Sequence, residues 1–325
     1  MACGDSFPCV RSLGKIFLYL LLVLIGGALV APWAWHLIQM LPPDLLGGLI
    51  GKVQGMPFHR YLSRSLQVAA ILLLWPLLRS LRIRSLRELG LYGANRPLAD
   101  LGVGIAAGIF CFILLESATL TSGAFVLSPE WSVPVLAAFP RLFLTAVVVA
   151  ILEEFLFRGI LLGFFRQVTT PAAAILLSAL LFSGVHFLNL PAAVSGDASP
   201  FWYSGLSVFG SVGSSLPPWP DLGWAFATLL VAGIILGWMT VRTGSLLAAV
   251  GLHGIWILGQ QAFNLAAYYP VKPPGSLLPF FGPPQCHGMV PVGIIPLGAL
   301  MLAGILAGIL LRHRPHQPLY PLHRG

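Results

Sequence analysis

The segment Ala150-Ile151-Leu152-Glu153-Glu154-Phe155-Leu156-Phe157-Arg158-Gly159 places two adjacent carboxylates and a guanidinium inside a long apolar run. Two further apolar runs each hold one histidine, His186 in Phe182-Ser183-Gly184-Val185-His186 and His253 in Gly251-Leu252-His253-Gly254-Ile255-Trp256. An ionisable side chain at the centre of a membrane helix costs roughly 2.5–3.5 kcal/mol or more, so each such group requires a partner or a task. Helical spacing divides the tasks. Glu154 and Arg158 are four apart with the acid N-terminal to the base, so they share a face and can cancel charge. Glu153 sits about 100° round the helix and has no such partner in its own helix, which leaves it to act on something else. A carboxylate beside an imidazole can take a proton from water, and a second imidazole can donate to a developing oxyanion; together these make a peptide-hydrolysing site.

The elements that must position these groups are membrane helices. Of 325 residues, 57% are hydrophobic and 9% charged, against roughly 25% charged in a soluble domain, and the mean hydropathy is +0.89. Apolar runs of about 18 residues or more recur along the chain. Only helices or closed barrels satisfy their backbone in lipid, so the fold class is all-α: a polytopic membrane bundle of about eight transmembrane helices. The expected spans are 16–38, 65–78, 98–121, 137–163, 171–190, 223–241, 245–263 and 290–311. The second is short, and its neighbour Asp44 to Arg64 reads as a surface or re-entrant stretch. Arg11 and Lys15 precede the apolar run Ile16 to Ala31; that run is long for a cleaved leader, and a retained first helix is the expectation.

With both termini cytoplasmic, that side carries twelve Lys and Arg and the other five, namely Lys52, Arg60, Arg64, Arg141 and Lys272. This bias fixes the expected orientation in a plasma membrane. It also accounts for the net charge of +8 as a topology signal spread over short loops, so no nucleic acid partner is expected. The loop Pro191 to Leu222 lacks Lys and Arg and is expected outside; Ser85 to Leu91 reads as a basic interfacial helix. Cys3, Cys9, Cys111 and Cys286 have no metal-ligand spacing. From the assigned ends, a rise of about 1.5 Å per residue puts Glu153 roughly 20 Å, His186 roughly 22 Å and His253 roughly 12 Å into the bilayer, close enough for one shared cavity. Alternative uses stand beside this one: Glu154 with Arg158 as a structural ion pair, each histidine as an interhelical hydrogen-bonding group, and Glu116 as a group near the outer end of its span.

At these residues the chain resembles the CAAX protease and bacteriocin-processing (CPBP, or Abi) family of intramembrane proteases, whose eukaryotic members trim prenylated proteins. Its motifs are E-E-x-x-x-R, F-x-x-x-H and H-x-x-x-N/D. The first is complete from Glu153 to Arg158 and the second from Phe182 to His186, on adjacent helices separated by a turn at Thr170-Pro171. The third departs: His253 fits, but Ile257 stands where the family places an amide or acid. Gln260, Gln261 or Asn264 could replace it, or the site could be impaired. The resemblance implies Glu153 as general base, His186 orienting the water, His253 as oxyanion donor, and Glu154 with Arg158 as a supporting pair. It implies a membrane-associated peptide or protein substrate within the lipid bilayer. No cofactor is expected; zinc on Glu153, His186 and His253 is the less favoured reading, since no H-E-x-x-H helix is present. Three segments follow: 1–136, N-terminal transmembrane helices with the basic interfacial segment; 137–263, the protease-like core; and 264–325, an extracytoplasmic loop, the last helix and a basic tail. A non-proteolytic immunity or scaffold protein is the alternative; a transporter is disfavoured for want of paired broken helices.

Overall fold

The computed structural model describes residues 6–81, 96–187, 199–211, 213, 216, 219–268, 280–281 and 293–312. The expected interfacial helix at 85–91 lies outside them, as do residues 191–198, 212, 214–215 and 217–218 of the expected outer loop. In chain order the elements are α1 (Ser6–Gln39), α2 (Leu45–Gln54), α3 (Phe58–Ser80), α4 (Pro97–Thr121), β1 (Val126–Leu127), α5 (Ser132–Glu154), a π-helical segment (Phe155–Leu161), α6 (Leu162–Val168), α7 (Pro171–His186), α8 (Ser204–Gly210), α9 (Trp219–Thr243), α10 (Leu247–Ala266), β2 (Ala267–Tyr268) and α11 (Ile294–Leu311). Among the described residues, six helical stretches are long and apolar enough to cross a membrane: Gly14–Gln39, Phe58–Ser80, Pro97–Thr121, Ser132–Arg166, Asp221–Thr243 and Ile294–Leu311. The chain is an integral membrane protein with an all-α bundle. The other two expected spans correspond to α7, which has 16 residues, and to α10, which has 20 residues and carries His253, Gln260, Gln261 and Asn264.

The chain divides into two compact units. The first holds α1, α2, α3 and α8. Here α1 and α3 run antiparallel, joined by Lys15 Nζ donating to the Ser80 carbonyl at 2.6 Å at one end and by a cluster of Ala28, Ala31, Phe58, Tyr61 and Leu62 nearer the other. The second span is longer than expected because α3 starts at Phe58 rather than residue 65. Arg60 and Arg64 therefore sit on the first turns of a helix, and only α2 remains of the stretch read as re-entrant.

The second unit holds α4 to α7 up to Val185, and α9 to α11. Its core is made of small and aliphatic side chains, among them Ala107, Leu236, Ala248, Leu252, Ala303 and Ala307, shared by α4, α9, α10 and α11. In lipid, apolar side chains gain nothing by leaving one apolar medium for another, so close packing through small residues is what holds such helices together. Two local signals position the site. Thr170 Oγ1 accepts the Ala173 N–H at 3.3 Å, and Pro171 at the first helical position starts α7 without losing a hydrogen bond. Gly244, at φ +67°, ends α9 in a left-handed turn that a side chain would strain, and α10 begins three residues later. A two-residue antiparallel pairing, Val126 with Tyr268 and Leu127 with Ala267, ties the end of α4 to the end of α10.

Candidate active site

Glu154 is the last residue of α5, and the backbone after it adopts a π-helical turn from Phe155 to Leu161. In that turn the Leu162 N–H reaches back five residues to the Phe157 carbonyl, which also accepts from Ser178 Oγ of α7 at 2.8 Å. Segments with i to i+5 bonds are rare and cluster at functional sites, because the extra residue re-aims the side chains around it. Even with that widening, Glu154 and Arg158 keep the contact expected from their spacing. Arg158 Nη1 donates to Glu154 Oε1 at 2.9 Å, and both side chains are fully buried.

The same oxygen has a second partner. His253 Nδ1, from α10, lies 2.8 Å from Glu154 Oε1. A carboxylate accepts, so Nδ1 is the donor, and that bond fixes the plane of the ring. His253 Nε2, on the opposite edge, is 3.8 Å from Glu153 Oε2. Glu153 keeps 30% of its side chain exposed, whereas that of His253 is 8% exposed. One imidazole thus stands between the two glutamates, with the buried one holding it and the more open one facing its free edge.

Aromatic rings enclose the charged pair. Arg158 Cζ lies 4.3 Å from the centre of the Phe182 ring, which stands nearly perpendicular to the His253 ring with centroids 5.8 Å apart. Phe157 packs edge-on against Phe182 at 5.2 Å. Arg158 Nη2 also approaches the Gly233 carbonyl of α9 at 3.4 Å. A buried guanidinium is thereby covered by a carboxylate, a carbonyl and an aromatic face, which together replace its hydration.

Four of the five expected residues, Glu153, Glu154, Arg158 and His253, are brought together. The depth difference of about 8 Å estimated between Glu153 and His253 does not keep them apart, since their side chains approach to 3.8 Å. His186 closes α7, half-buried, and falls in the first unit. Two expectations need amendment in geometry. The pair Glu154–Arg158 is not separate from the histidine, since Glu154 also holds the His253 ring. Of the proposed replacements for the motif amide, Gln260 donates to Asn264 Oδ1 at 2.8 Å, and its place seven residues beyond His253 puts it about 10 Å further along the helix. Glu116 is buried in α4 at 7% exposure. Sequence reading passed over Ser178 and Gly233; a hydroxyl inside an apolar helix was the available signal for the first, and a backbone carbonyl carries none. Among the described residues no three His, Cys, Asp or Glu side chains are grouped as a metal-ligand set.

Residues 135–258 match the family model described as type II CAAX prenyl endopeptidase Rce1-like. The match covers less than half of the chain; it begins in α5, ends in α10, and contains all five candidate residues. Over this central segment the chain is similar to that family, and the motifs at Glu153–Arg158 and Phe182–His186 fall inside the match. No curated protein and no solved structure matches the chain.

Proposed function

We propose that this integral membrane protein, with its Rce1-like segment over residues 135–258, is an intramembrane endopeptidase. It hydrolyses a peptide bond of a membrane-associated substrate, of the prenylated type, with water activated by Glu153. The observation that carries the reading is the placement of one imidazole between two glutamates, at 2.8 Å from Glu154 and 3.8 Å from Glu153.

A separation of 3.8 Å is too long for a direct hydrogen bond, yet both atoms can lie about 2.8 Å from a common oxygen beside them. That oxygen is the attacking water in the ground state. Glu153 takes its proton, the hydroxide oxygen bonds to the scissile carbonyl carbon, and negative charge develops on the carbonyl oxygen. Collapse breaks the C–N bond as the proton passes from Glu153 to the leaving nitrogen. When the imidazole holds both protons, Glu153, Glu154, Arg158 and His253 sum to zero charge, the combination that low dielectric tolerates best. Nε2–H is then a donor for the oxyanion. Glu154 and Arg158 hold that ring in place. His186 enters on sequence grounds, four residues after the Phe182 that packs on His253 and Arg158.

The alternative, a non-proteolytic immunity or scaffold protein, draws its support from Ile257, which removes the second oxyanion donor of the family pattern. Incubating the purified protein with a prenylated peptide and its unprenylated counterpart separates the two. Glu153→Gln should abolish cleavage while thermal stability stays near wild type. His186→Ala should be nearly as severe, and His253→Ala should slow turnover by about 10²–10³, the usual loss for one oxyanion donor. Activity should survive chelation, because a carboxylate base needs no metal; loss on chelation, restored by zinc, would replace this mechanism with the zinc reading.

A further inference from the structure

The first unit carries a groove of about 510 Å³ between α1, α2 and α3. Its walls are apolar, with Gly26, Val30 and Ala34 from α1 and Val68, Ala69 and Leu72 from α3. Arg60 and Arg64 of α3 also line it, and both are exposed. From Gly26 to Ile38 the α1 wall rises by about 18 Å, close to the roughly 15 Å occupied by the acyl chains of one leaflet.

The charge on this lining is unbalanced. Arg60 and Arg64 are one turn apart on α3. Arg64 Nη1 donates to Gln67 Oε1 at 2.8 Å, and neither arginine forms an ion pair among the described residues. In this unit the described carboxylates reduce to Asp44, against Lys52, Arg60 and Arg64 within the same α1–α3 connection and the turns after it. Those three are also most of the five basic residues that the topology leaves on the basic-poor side, so the positive-inside bias does not explain them.

We infer that this groove binds an anionic glycerophospholipid, with one acyl chain along α1 and α3 and the phosphate between Arg60 and Arg64. Arginine at the start of a membrane helix reaches the headgroup layer while its stem lies on apolar surface. Each basic side chain at that level favours an anionic lipid about five-fold, so the pair should give about thirty-fold. The proposal is independent of the proteolytic reading.

The test is lipid binding to the purified full chain in neutral detergent, with bound lipid counted by native mass spectrometry. Phosphatidylglycerol and phosphatidylcholine with identical acyl chains are titrated separately. Wild type should prefer phosphatidylglycerol about thirty-fold. The double variant Arg60→Gln, Arg64→Gln should bring the two lipids to near parity without weakening phosphatidylcholine. Gly26→Leu should weaken both lipids at unchanged melting temperature, because no atom lies within 4 Å of a Cβ built there. Soluble glycerophosphoglycerol should fail to displace the bound lipid. Equal binding of the two lipids by wild type, a preference that survives loss of both arginines, displacement by the soluble headgroup, or unaltered binding in the Gly26 variant would each overturn it.

Discussion

Glu154 Oε1 is the most constrained atom of the site, since Arg158 and His253 both meet it at hydrogen-bond distance. Two roles are superposed there: compensating a buried cation and fixing an imidazole. Variants separate them. Arg158→Met leaves a fully buried carboxylate without its cation and should destabilise the protein by about 3–5 kcal/mol, read as a lower melting temperature and folded yield in detergent. The double variant Glu154→Leu, Arg158→Met removes both charges and should regain most of that stability, because a buried ion pair is often replaceable by apolar side chains. It should stay inactive, having lost the group that holds His253. A stable Arg158→Met protein lacking only activity would move the arginine to substrate binding or catalysis. The spacing of Glu154 and Arg158 was legible in the sequence because i, i+4 geometry is local. The Glu154–His253 bond was not, since it joins residues 99 apart and depends on how far α10 slides along α5.

At the scale of elements, the close approach of α4 and α10 sets that slide. A Cβ on Gly104 would run into the Ala248 carbonyl, and one on Gly108 would meet Ile255 Cβ at 2.7 Å. Backbones this near suit the Gly-x-x-x-Gly spacing of Gly104 and Gly108, a signal that was available in the sequence. Gly104→Val should therefore displace α10 and with it His253. The expected result is a clear loss of thermal stability together with loss of cleavage, whereas Gly102→Val, where no atom lies within 4 Å, should be neutral in both assays. An unaffected Gly104→Val protein would show that this helix pair is not what holds the histidine. The π-helical turn had no such signal. Phe155 to Leu161 reads as ordinary apolar helix, and its widening depends on a hydroxyl, Ser178 Oγ, supplied by another helix. The apolar runs themselves were readable to within several residues, because lipid demands a minimum length of apolar helix. The start of α3 was missed because His59, Arg60 and Arg64 dilute its first turns.

For the whole chain, the directions of packed helices constrain the number of crossings. Gly104, Gly108 and Phe112 of α4 meet Ala248, Leu252 or Ile255, and Gly259 of α10 in that order, so the two helices run parallel. An odd number of crossings must then separate them. Two come from Ser132–Arg166 and Asp221–Thr243, and the prediction is that α7, with its 16 residues, supplies the third. Likewise Gly304 and Gly308 of α11 meet Ile235 and Trp238 of α9, and Arg242 Nη2 donates to the Arg312 carbonyl at 3.0 Å. These two also run parallel, with α10 as the single crossing between them. Together with α1 and α3, a crossing by α7 predicts an even total with both termini on one side, and the twelve-to-five basic bias predicts that this side is the cytoplasm. In a background lacking the four native cysteines, Ser199→Cys should react with a membrane-impermeant maleimide on intact cells. Thr169→Cys, at the opposite end of α7, should react only after lysis, and a reporter fused after Gly325 should read as cytoplasmic. Reaction of both cysteines from the same side would make α7 re-entrant. Glu153 and His253 would still face one another, but the route by which water and substrate reach them would have to be redrawn around a helix that enters and leaves by one face.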